Sequence, residues 1–155
     1  MMVGSRSENH KTTAYSCSMI VNHVGLCVSD LQPSLRFYEG LGFEHDTTRD
    51  LQPPDAVTGQ LLGIEPPVGL TAVYLRRDEF TLELLHYRRP DNPAPGARPM
   101  NQPGLTHLSF TVGDLDATIE QVRALGGEVV ESSNIGPAVM VRDPDGQLLE
   151  LLRKR

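Results

Sequence analysis

The sequence predicts an α+β protein made of two tandem βαβββ modules, and three observations predict that class. The chain repeats itself, because residues 22–44 align with residues 106–128 at a shift of 84 positions. A second repeat follows at a shift of 67 positions, where 82–85 and 149–152 both read Leu-Glu-Leu-Leu. Each copy of the longer repeat begins with the alternating apolar residues of a strand and continues with the apolar spacing of a helix. The duplication therefore predicts one strand–helix plan that is used twice.

Composition places the chain among ordinary globular proteins. Of its 155 residues, 39% are hydrophobic and 22% are charged, and the net charge is −6. No apolar stretch reaches the roughly 20 residues of a membrane span, and no basic stripe suggests nucleic acid as a partner. We expect residues 1–18 to form a flexible polar tail without a signal peptide, and the two cysteines to be reduced in a cytoplasmic protein.

The first module is expected to span residues 19–88. Its opening strand, 20–28, alternates between aliphatic residues on one face and His23 on the other. Asp30 offers an N-cap for the following helix, which glycines end. The later elements are a second strand, an irregular excursion that could hold a short helix, and two further strands, expected at 43–48, 50–68, 70–75 and 80–87.

A linker or lid loop, 89–104, is expected to join the modules, since it contains five prolines. The second module, 105–155, repeats the plan of the first. Its opening strand, 105–112, carries His107 on the face opposite its aliphatic residues, and Asp114 caps the next helix. Three later strands are expected at 128–131, 138–142 and 147–152, with an Asp-Pro-Asp-Gly turn before the last.

Each module presents one histidine and one glutamate from apolar strands: His23 and Glu83 from the first, His107 and Glu150 from the second. Charged side chains in such strands cost several kcal/mol if they are buried without a partner, and a shared cation would remove that cost. Two imidazoles and two carboxylates suit a six-coordinate divalent ion with two positions open to water or substrate. That donor set favours Mn, Fe, Co, Ni or Zn over Ca.

Four segments together resemble the vicinal oxygen chelate superfamily, which includes glyoxalase I, methylmalonyl-CoA epimerase, extradiol dioxygenases and the fosfomycin or bleomycin resistance proteins. They are the two copies of the long repeat, the Leu-Glu-Leu-Leu run and the Asp-Pro-Asp-Gly-Gln-Leu-Leu-Glu-Leu run, at 22–43, 106–117, 82–85 and 143–151. The resemblance implies a mixed sheet that curls into a cup around a metal ion, with the helices outside. It also implies that His23, Glu83, His107 and Glu150 are the metal ligands.

The ligand set is most similar to that of bacterial glyoxalase I. This resemblance implies a metal-dependent lyase or isomerase that transfers a proton on a small oxygenated substrate chelated by the metal. It further implies that Glu150 is the base and that Glu83 is its pseudo-symmetric counterpart. Residues 48–68 do not resemble the corresponding part of glyoxalase I, so no site for a thiol substrate is traced there.

Three other activities are carried as alternatives. An acyl-CoA epimerase is similar around 83–86 and 104–107, but the glutamate-rich motif of that family is replaced here by His-Asp-Thr-Thr-Arg-Asp at 45–50. A ring-cleaving dioxygenase would need only two histidines and one carboxylate, so Glu83 argues against it. A non-enzymatic antibiotic-binding protein generally lacks the metal ligands, so the presence of all four argues for an enzyme.

Further expectations concern the rim of the site and the assembly. Loop arginines are expected to be solvated, with binding of a substrate carboxylate or phosphate as the alternative, and these are Arg49, Arg88, Arg89 and Arg98. Tyr74 and Tyr87 are expected to contribute to packing. Small duplicated modules often complete their cores by association, so we expect a homodimer. Whether the cup forms within one chain or between two is open.

Overall fold

The computed structural model describes residues 19–88 and 99–155; the predicted tail, 1–18, and most of the predicted linker, 89–98, lie outside the described residues. The first module contains β1 (Val24–Cys27), α1 (Leu31–Gly40), β2 (Glu44–His45), α2 (Asp55–Leu62), β3 (Leu70–Arg77) and β4 (Phe80–Tyr87). The second module contains β5 (Leu108–Val112), α3 (Leu115–Ala124), β6 (Glu128–Val129), a 3₁₀ turn (Glu131–Ser133), β7 (Ala138–Arg142) and β8 (Leu148–Arg153).

Each module folds into a mixed four-stranded sheet, and the strand orders are β1-β4-β3-β2 and β5-β8-β7-β6. The opening strand of each module pairs in parallel with the last, and the other neighbours are antiparallel. The opening strands β1 and β5 therefore lie at sheet edges. The predicted α+β class and the two tandem βαβββ modules are confirmed. In the described parts of the chain, no helix has the length and apolarity needed to cross a membrane.

Both main helices begin where the sequence predicts. The carboxylate of Asp30 accepts a 2.9 Å hydrogen bond from the Gln32 amide, and that of Asp114 accepts one of 3.0 Å from the Ala117 amide. The opening strands are shorter than predicted, because the parallel ladders begin only at Val24 and Leu108. The two site histidines consequently lie just before the strands.

The excursion at 50–68 is a compact insertion. Its helix, α2, is anchored by the Asp55 carboxylate, which accepts a 3.0 Å hydrogen bond from the Gly69 amide at the start of β3. Gly59 packs so closely on the next turn of chain that an added Cβ would lie 2.6 Å from the carbonyl oxygen of Ile64. Val68, which leads into β3, is fully buried.

One hydrophobic core joins the two modules, because the apolar faces of both sheets and the inner faces of α1 and α3 belong to a single cluster. Phe43 of the first module meets Phe110 of the second edge-on, with ring centroids 5.9 Å apart. At Gly127, an added Cβ would lie 2.7 Å from the Phe37 ring. The absence of a side chain at this position therefore lets the modules approach closely.

A polar link also joins the modules at the Asp-Pro-Asp-Gly turn. The hydroxyl of Tyr38 on α1 donates a 2.8 Å hydrogen bond to Asp143, which is only 3% exposed. Burial raises the pKa of both groups. Asp145 accepts hydrogen bonds from the Ser29 amide at 3.1 Å and the Ser34 hydroxyl at 3.2 Å. The turn of the second module thus holds the first turn of α1.

Candidate metal centre

The four predicted ligands lie in two separate pairs. In the first half-site, His23 Nε2 lies 3.0 Å from Oε2 of Glu83, and in the second half-site, His107 Nε2 lies 3.7 Å from Oε2 of Glu150. Within residues 19–88 and 99–155, no three His, Cys, Asp or Glu side chains are close enough together to hold a metal ion. One chain therefore brings the predicted residues together as a pair in each module and not as one set of four.

Strand alternation places both pairs on the sheet face opposite the helices. In the first sheet, Glu83 is in register with Gly25, while its neighbours Leu82 and Leu84 are fully buried in the core. In the second sheet, Glu150 is in register with Ser109. Each glutamate thus faces away from the hydrophobic core, beside the residue that follows the site histidine by two positions.

Each histidine is oriented by the residue immediately before it. Nδ1 of His23 is 2.8 Å from Oδ1 of Asn22, and Nδ1 of His107 is 2.9 Å from Oγ1 of Thr106. With Nδ1 engaged in this way, Nε2 is the ring nitrogen that faces the glutamate. Outer hydrogen bonds of this kind usually fix the ring of a metal-ligating histidine. Asn22 and Thr106 are aligned by the 84-residue shift, so the repeat could have identified both.

Tyr74 holds the carboxylate of the first half-site. Its hydroxyl donates a 2.5 Å hydrogen bond to Oε1 of Glu83, and its ring lies edge-on to His23, with centroids 5.7 Å apart. Burial and the hydrogen bond to Glu83 raise the pKa of Tyr74 to about 12, so the phenol remains a donor at neutral pH. The sequence predicted only a packing role for Tyr74. Its second role depends on the β3–β4 register, which places Tyr74 beside Glu83.

The second half-site is more open. Ser109 Oγ donates a 2.6 Å hydrogen bond to Oε2 of Glu150, the same oxygen that faces His107. The Glu150 side chain is 30% exposed, compared with 12% for Glu83. Glu83 uses both carboxylate oxygens in contacts, whereas the contacts of Glu150 fall on one. The two glutamates are therefore equivalent in the repeat but differently constrained.

Exposed apolar residues adjoin both half-sites. Ile20 and Val21, just before His23, are 88% and 85% exposed, and Leu105, just before His107, is 71% exposed. Beside β5, the edge strand of the second sheet in the described part of the chain, a groove of about 870 Å³ is bordered by His107 and Ser109 and continues between the modules. The surroundings of both histidines thus resemble surface that another chain could cover.

Arg49 is the one predicted loop arginine that lies at a half-site among the described residues. Its guanidinium carbon is 4.2 Å from the centroid of the Tyr74 ring, and Nη2 donates a 3.1 Å hydrogen bond to Asn22 Oδ1. Arg88 is exposed, and Arg89 and Arg98 lie outside the described residues.

The donor chemistry fits a divalent transition-metal ion. Each half-site offers one imidazole nitrogen and one carboxylate oxygen, which are ligands that such ions accept. The side chains that support them, Asn22 and Tyr74 in the first half-site and Thr106 and Ser109 in the second, leave Nε2 and the carboxylates facing each other. Two half-sites together would complete the predicted set of four.

Comparison of the chain with known proteins identifies its family and solved structures with a similar fold. The family model described as Glyoxalase/Bleomycin resistance protein/Dioxygenase superfamily matches residues 20–151. A probable chloroplastic lactoylglutathione lyase of Arabidopsis thaliana is 31% identical over 140 residues, which are 85% of this chain and 35% of that protein. The chain thus spans about a third of the length of that relative.

Two further proteins extend the comparison. The mitochondrial methylmalonyl-CoA epimerase of Homo sapiens is 26% identical over 139 residues, which cover 84% of this chain and 72% of that protein. A glyoxalase family protein of Bacillus cereus has a crystal structure with the same fold, at a TM-score of 0.75 and 20% identity, covering 90% of this chain and 97% of that one.

Proposed function

Because the chain belongs to the glyoxalase/bleomycin resistance protein/dioxygenase superfamily, we propose that it is a metal-dependent lyase or isomerase of glyoxalase type. The superfamily includes many metal-dependent enzymes, glyoxalase I among them. The observation that carries the proposal is the matched geometry of the half-sites, in which Nδ1 is engaged and Nε2 faces a glutamate. The substrate would be a small molecule with two neighbouring oxygens.

The complete centre would form in a homodimer. A two-fold axis that brings the first half-site of one protomer to the second half-site of its partner produces two identical centres. This arrangement accounts for the edge positions of β1 and β5 and for the exposed apolar residues beside both histidines. It also explains why each module carries one histidine and one glutamate of the four predicted metal ligands.

His23 and Glu83 of one protomer, with His107 and Glu150 of its partner, would hold the ion, which would be Ni, Co, Mn, Zn or Fe. Lewis-acid stabilisation of the negative charge that develops on a substrate oxygen is the chemistry that the ion supplies when bound. The protein would supply the remaining groups: imidazoles with fixed orientation, one restrained carboxylate and one carboxylate with freedom to move.

Glu150 is proposed as the base that moves the proton. Its contacts leave Oε1 able to approach a substrate carbon, and its partner Ser109 is a small side chain on the neighbouring strand. The carboxylate would take a proton from one carbon and return it to the adjacent carbon, so the product would contain the same atoms as the substrate. Glu83, which is held by Tyr74, would remain a fixed ligand.

Epimerisation of an acyl-CoA is the second candidate, and the match to human methylmalonyl-CoA epimerase favours it. This reaction returns the proton to the same carbon from the opposite face, and so benefits from a second base. The segment 45–50 contains no glutamate and its two aspartates are engaged with neighbouring residues, so it offers no evident base. Proton transfer between adjacent carbons is therefore the preferred proposal.

Activity is tested on protein stripped of metal and reloaded with each of the five ions. The assay follows isomerisation of the hemithioacetal of methylglyoxal and glutathione, with methylmalonyl-CoA epimerisation in parallel. We expect activity that depends on the ion in one assay. Failure of every ion to bind at micromolar concentration would refute the metal proposal.

The shared centre is tested by complementation. His23→Ala and His107→Ala chains, each inactive alone, are co-expressed with different tags, and the heterodimer is isolated. One of its two centres would combine the intact first half-site of one chain with the intact second half-site of the other, so metal binding and activity should return at about half the wild-type value per dimer. In the control pair, His23→Ala with Glu83→Ala, the first half-site is damaged in both chains. Neither centre of this heterodimer is intact, so metal binding and activity should not return. Equal results for both pairs would refute a centre shared between chains.

A further inference from the structure

Arg49 stands beside the first half-site in a defined orientation. One face of its guanidinium lies over the Tyr74 ring at 4.2 Å from the centroid, the geometry of a cation–π contact. Asn22 Oδ1 accepts hydrogen bonds both from Arg49 Nη2, at 3.1 Å, and from His23 Nδ1, at 2.8 Å. Arg49 and the ligand His23 are therefore joined through one oxygen atom.

Hydrogen bonds hold both ends of the loop 46–50, which carries Arg49. At its start, the Arg49 amide donates a 3.0 Å hydrogen bond to the carbonyl of Asp46. At its end, Asp50 lies 2.8 and 3.0 Å from Nε2 of His45, and it accepts a 3.3 Å hydrogen bond from the Tyr74 amide. A guanidinium held in this way loses little conformational freedom when it binds a ligand.

Among the described residues, no carboxylate lies within ion-pair distance of Arg49, although its loop contains two. Asp46 accepts a hydrogen bond from Thr48 at 2.6 Å, and this bond, together with the charges of Arg76 and Arg49, lowers the pKa of Asp46. Asp50 is held by His45. Arg49 is thus half-buried and oriented, has no ion-pair partner among the described residues, and lies beside two proposed metal ligands in a chain of net charge −6, which is the chemistry of an anion-binding group.

We propose that Arg49 binds an anionic group of the substrate, a carboxylate or a phosphate, through the N–H groups that Asn22 and Tyr74 leave available. The inference rests on the proposed metal centre and narrows its substrate class. The substrate would carry two neighbouring oxygens at one end, for the metal, and an anionic group at the other, for Arg49. Arginine is suited to this role because its planar fork matches the two oxygens of either anion.

Matched probe pairs test the inference by calorimetry on the Mn²⁺-loaded protein. Malate and 2-hydroxybutyrate share a chelating 2-hydroxy acid, but only malate adds a distal carboxylate. Similarly, 3-phosphoglycerate adds a distal phosphate to glycerate. We expect the distal anion to tighten binding about tenfold to hundredfold in at least one pair, and the responsive pair identifies carboxylate or phosphate as the preferred group.

Variants assign that preference to Arg49. Arg49→Gln should bind both members of each pair equally, and Arg49→Lys should retain part of the difference. Arg36→Gln, an exposed change on α1 behind the sheet, should retain all of it. Metal-dependent binding without a preference in the wild type, or a preference that survives Arg49→Gln, overturns the inference while leaving the metal proposal intact.

Failure of the metal centre itself is recognised separately. Metal-free protein is titrated with inorganic phosphate, and the NMR signal of the Arg49 guanidinium is followed. A saturating shift of this signal, combined with no binding of any 2-hydroxy acid to Mn²⁺-treated protein, would refute the metal centre and support the anion site. No shift, together with no preference in either probe pair, would overturn the anion site.

Discussion

The hydroxyl of Tyr74 and Oε1 of Glu83 are joined by a 2.5 Å hydrogen bond between neighbouring strands. The corresponding support in the second module comes from Ser109, which reaches Glu150 from the edge strand β5. A buried phenol and an exposed serine therefore hold two glutamates that the repeat makes equivalent. In the proposed centre, this difference would give the two carboxylates separate chemical roles.

Replacement of Tyr74 by phenylalanine is expected to weaken metal binding about 10- to 100-fold, the usual cost of losing an outer hydrogen bond to a ligand. The ring and its contact with His23 would remain, so the fold should persist, but the melting temperature should fall because a buried carboxylate oxygen loses its donor. Competition with a chromophoric chelator measures the affinity. An unchanged affinity for every ion would mean that Tyr74 has only the packing role that the sequence predicted.

Conversion of Glu150 or Glu83 to glutamine should distinguish the residue that transfers the proton from the residue that only binds the metal. Glu150→Gln cannot accept a proton, so turnover at saturating metal should fall at least about 100-fold with the fold intact. Glu83→Gln should mainly weaken metal binding, since this carboxylate is the restrained one. Turnover and metal affinity are measured on both variants. Turnover of Glu150→Gln within tenfold of the wild type would contradict its role as base.

Titration of Asp143 should lower the free energy of unfolding of the wild type as the pH rises, which is unusual for a carboxyl group. Burial is the main cause that raises its pKa above the ordinary value of 3.8. Just above pH 3.8 the native state therefore keeps a proton that the unfolded chain has lost, and this contribution to stability declines as the pH rises.

The substitution Asp143→Asn removes the titrating carboxyl group and still leaves the Tyr38 hydroxyl a hydrogen-bond partner. Urea unfolding between about pH 4 and pH 7 measures the free energy of unfolding of the wild type and of Asp143→Asn. The difference, wild type minus variant, should decrease as the pH rises. A difference that is constant, or that grows with pH, would contradict the raised pKa.

Gly127→Ala is expected to destabilise the protein by about 1–3 kcal/mol through overpacking. The new Cβ would lie 2.6 Å from the backbone carbonyl of Arg142 and 2.7 Å from Phe37, and the carbonyl belongs to a strand that cannot yield easily. Gly113→Ala is the matched control, because no heavy atom lies within 4 Å of its added Cβ. Denaturant unfolding compares the two variants, and equal stabilities would show that the modules are less tightly packed at this point.

Much of the fold could be predicted from the sequence because its signals are local. Asp30 and Asp114 cap the helices as expected, and both Leu-Glu-Leu-Leu runs lie in the last strand of their module. The excursion at 50–68 was predicted as a region with a short helix, and α2 lies there. Strand lengths were predicted less well: β1, β2, β5 and β6 are shorter than expected and β3 is longer, because the residues of one strand do not determine how far its neighbour pairs with it.

The arrangement of the site was less accessible to prediction. The alternation of residues along each strand predicted that each histidine would lie on the face opposite the aliphatic side chains. It carries no information on which histidine lies next to which glutamate. The contacts of Tyr74 and Arg49 depend on the β3–β4 register and on a folded loop, and both are products of tertiary structure. The metal ligand set itself stays a prediction.

The contact between the Asp-Pro-Asp-Gly turn and α1 makes the two copies of the repeat structurally unequal. At the 84-residue shift, Ser29 corresponds to Gly113 and Ser34 to Thr118, and the Thr118 hydroxyl donates its hydrogen bond within its own helix, to the Asp114 carbonyl. The equivalent turn of the first module instead uses Arg77, which donates to the Leu41 carbonyl within its own module. A change at Asp145 would therefore disturb a contact between the two modules, whereas a change at Arg77 would disturb a contact within the first module.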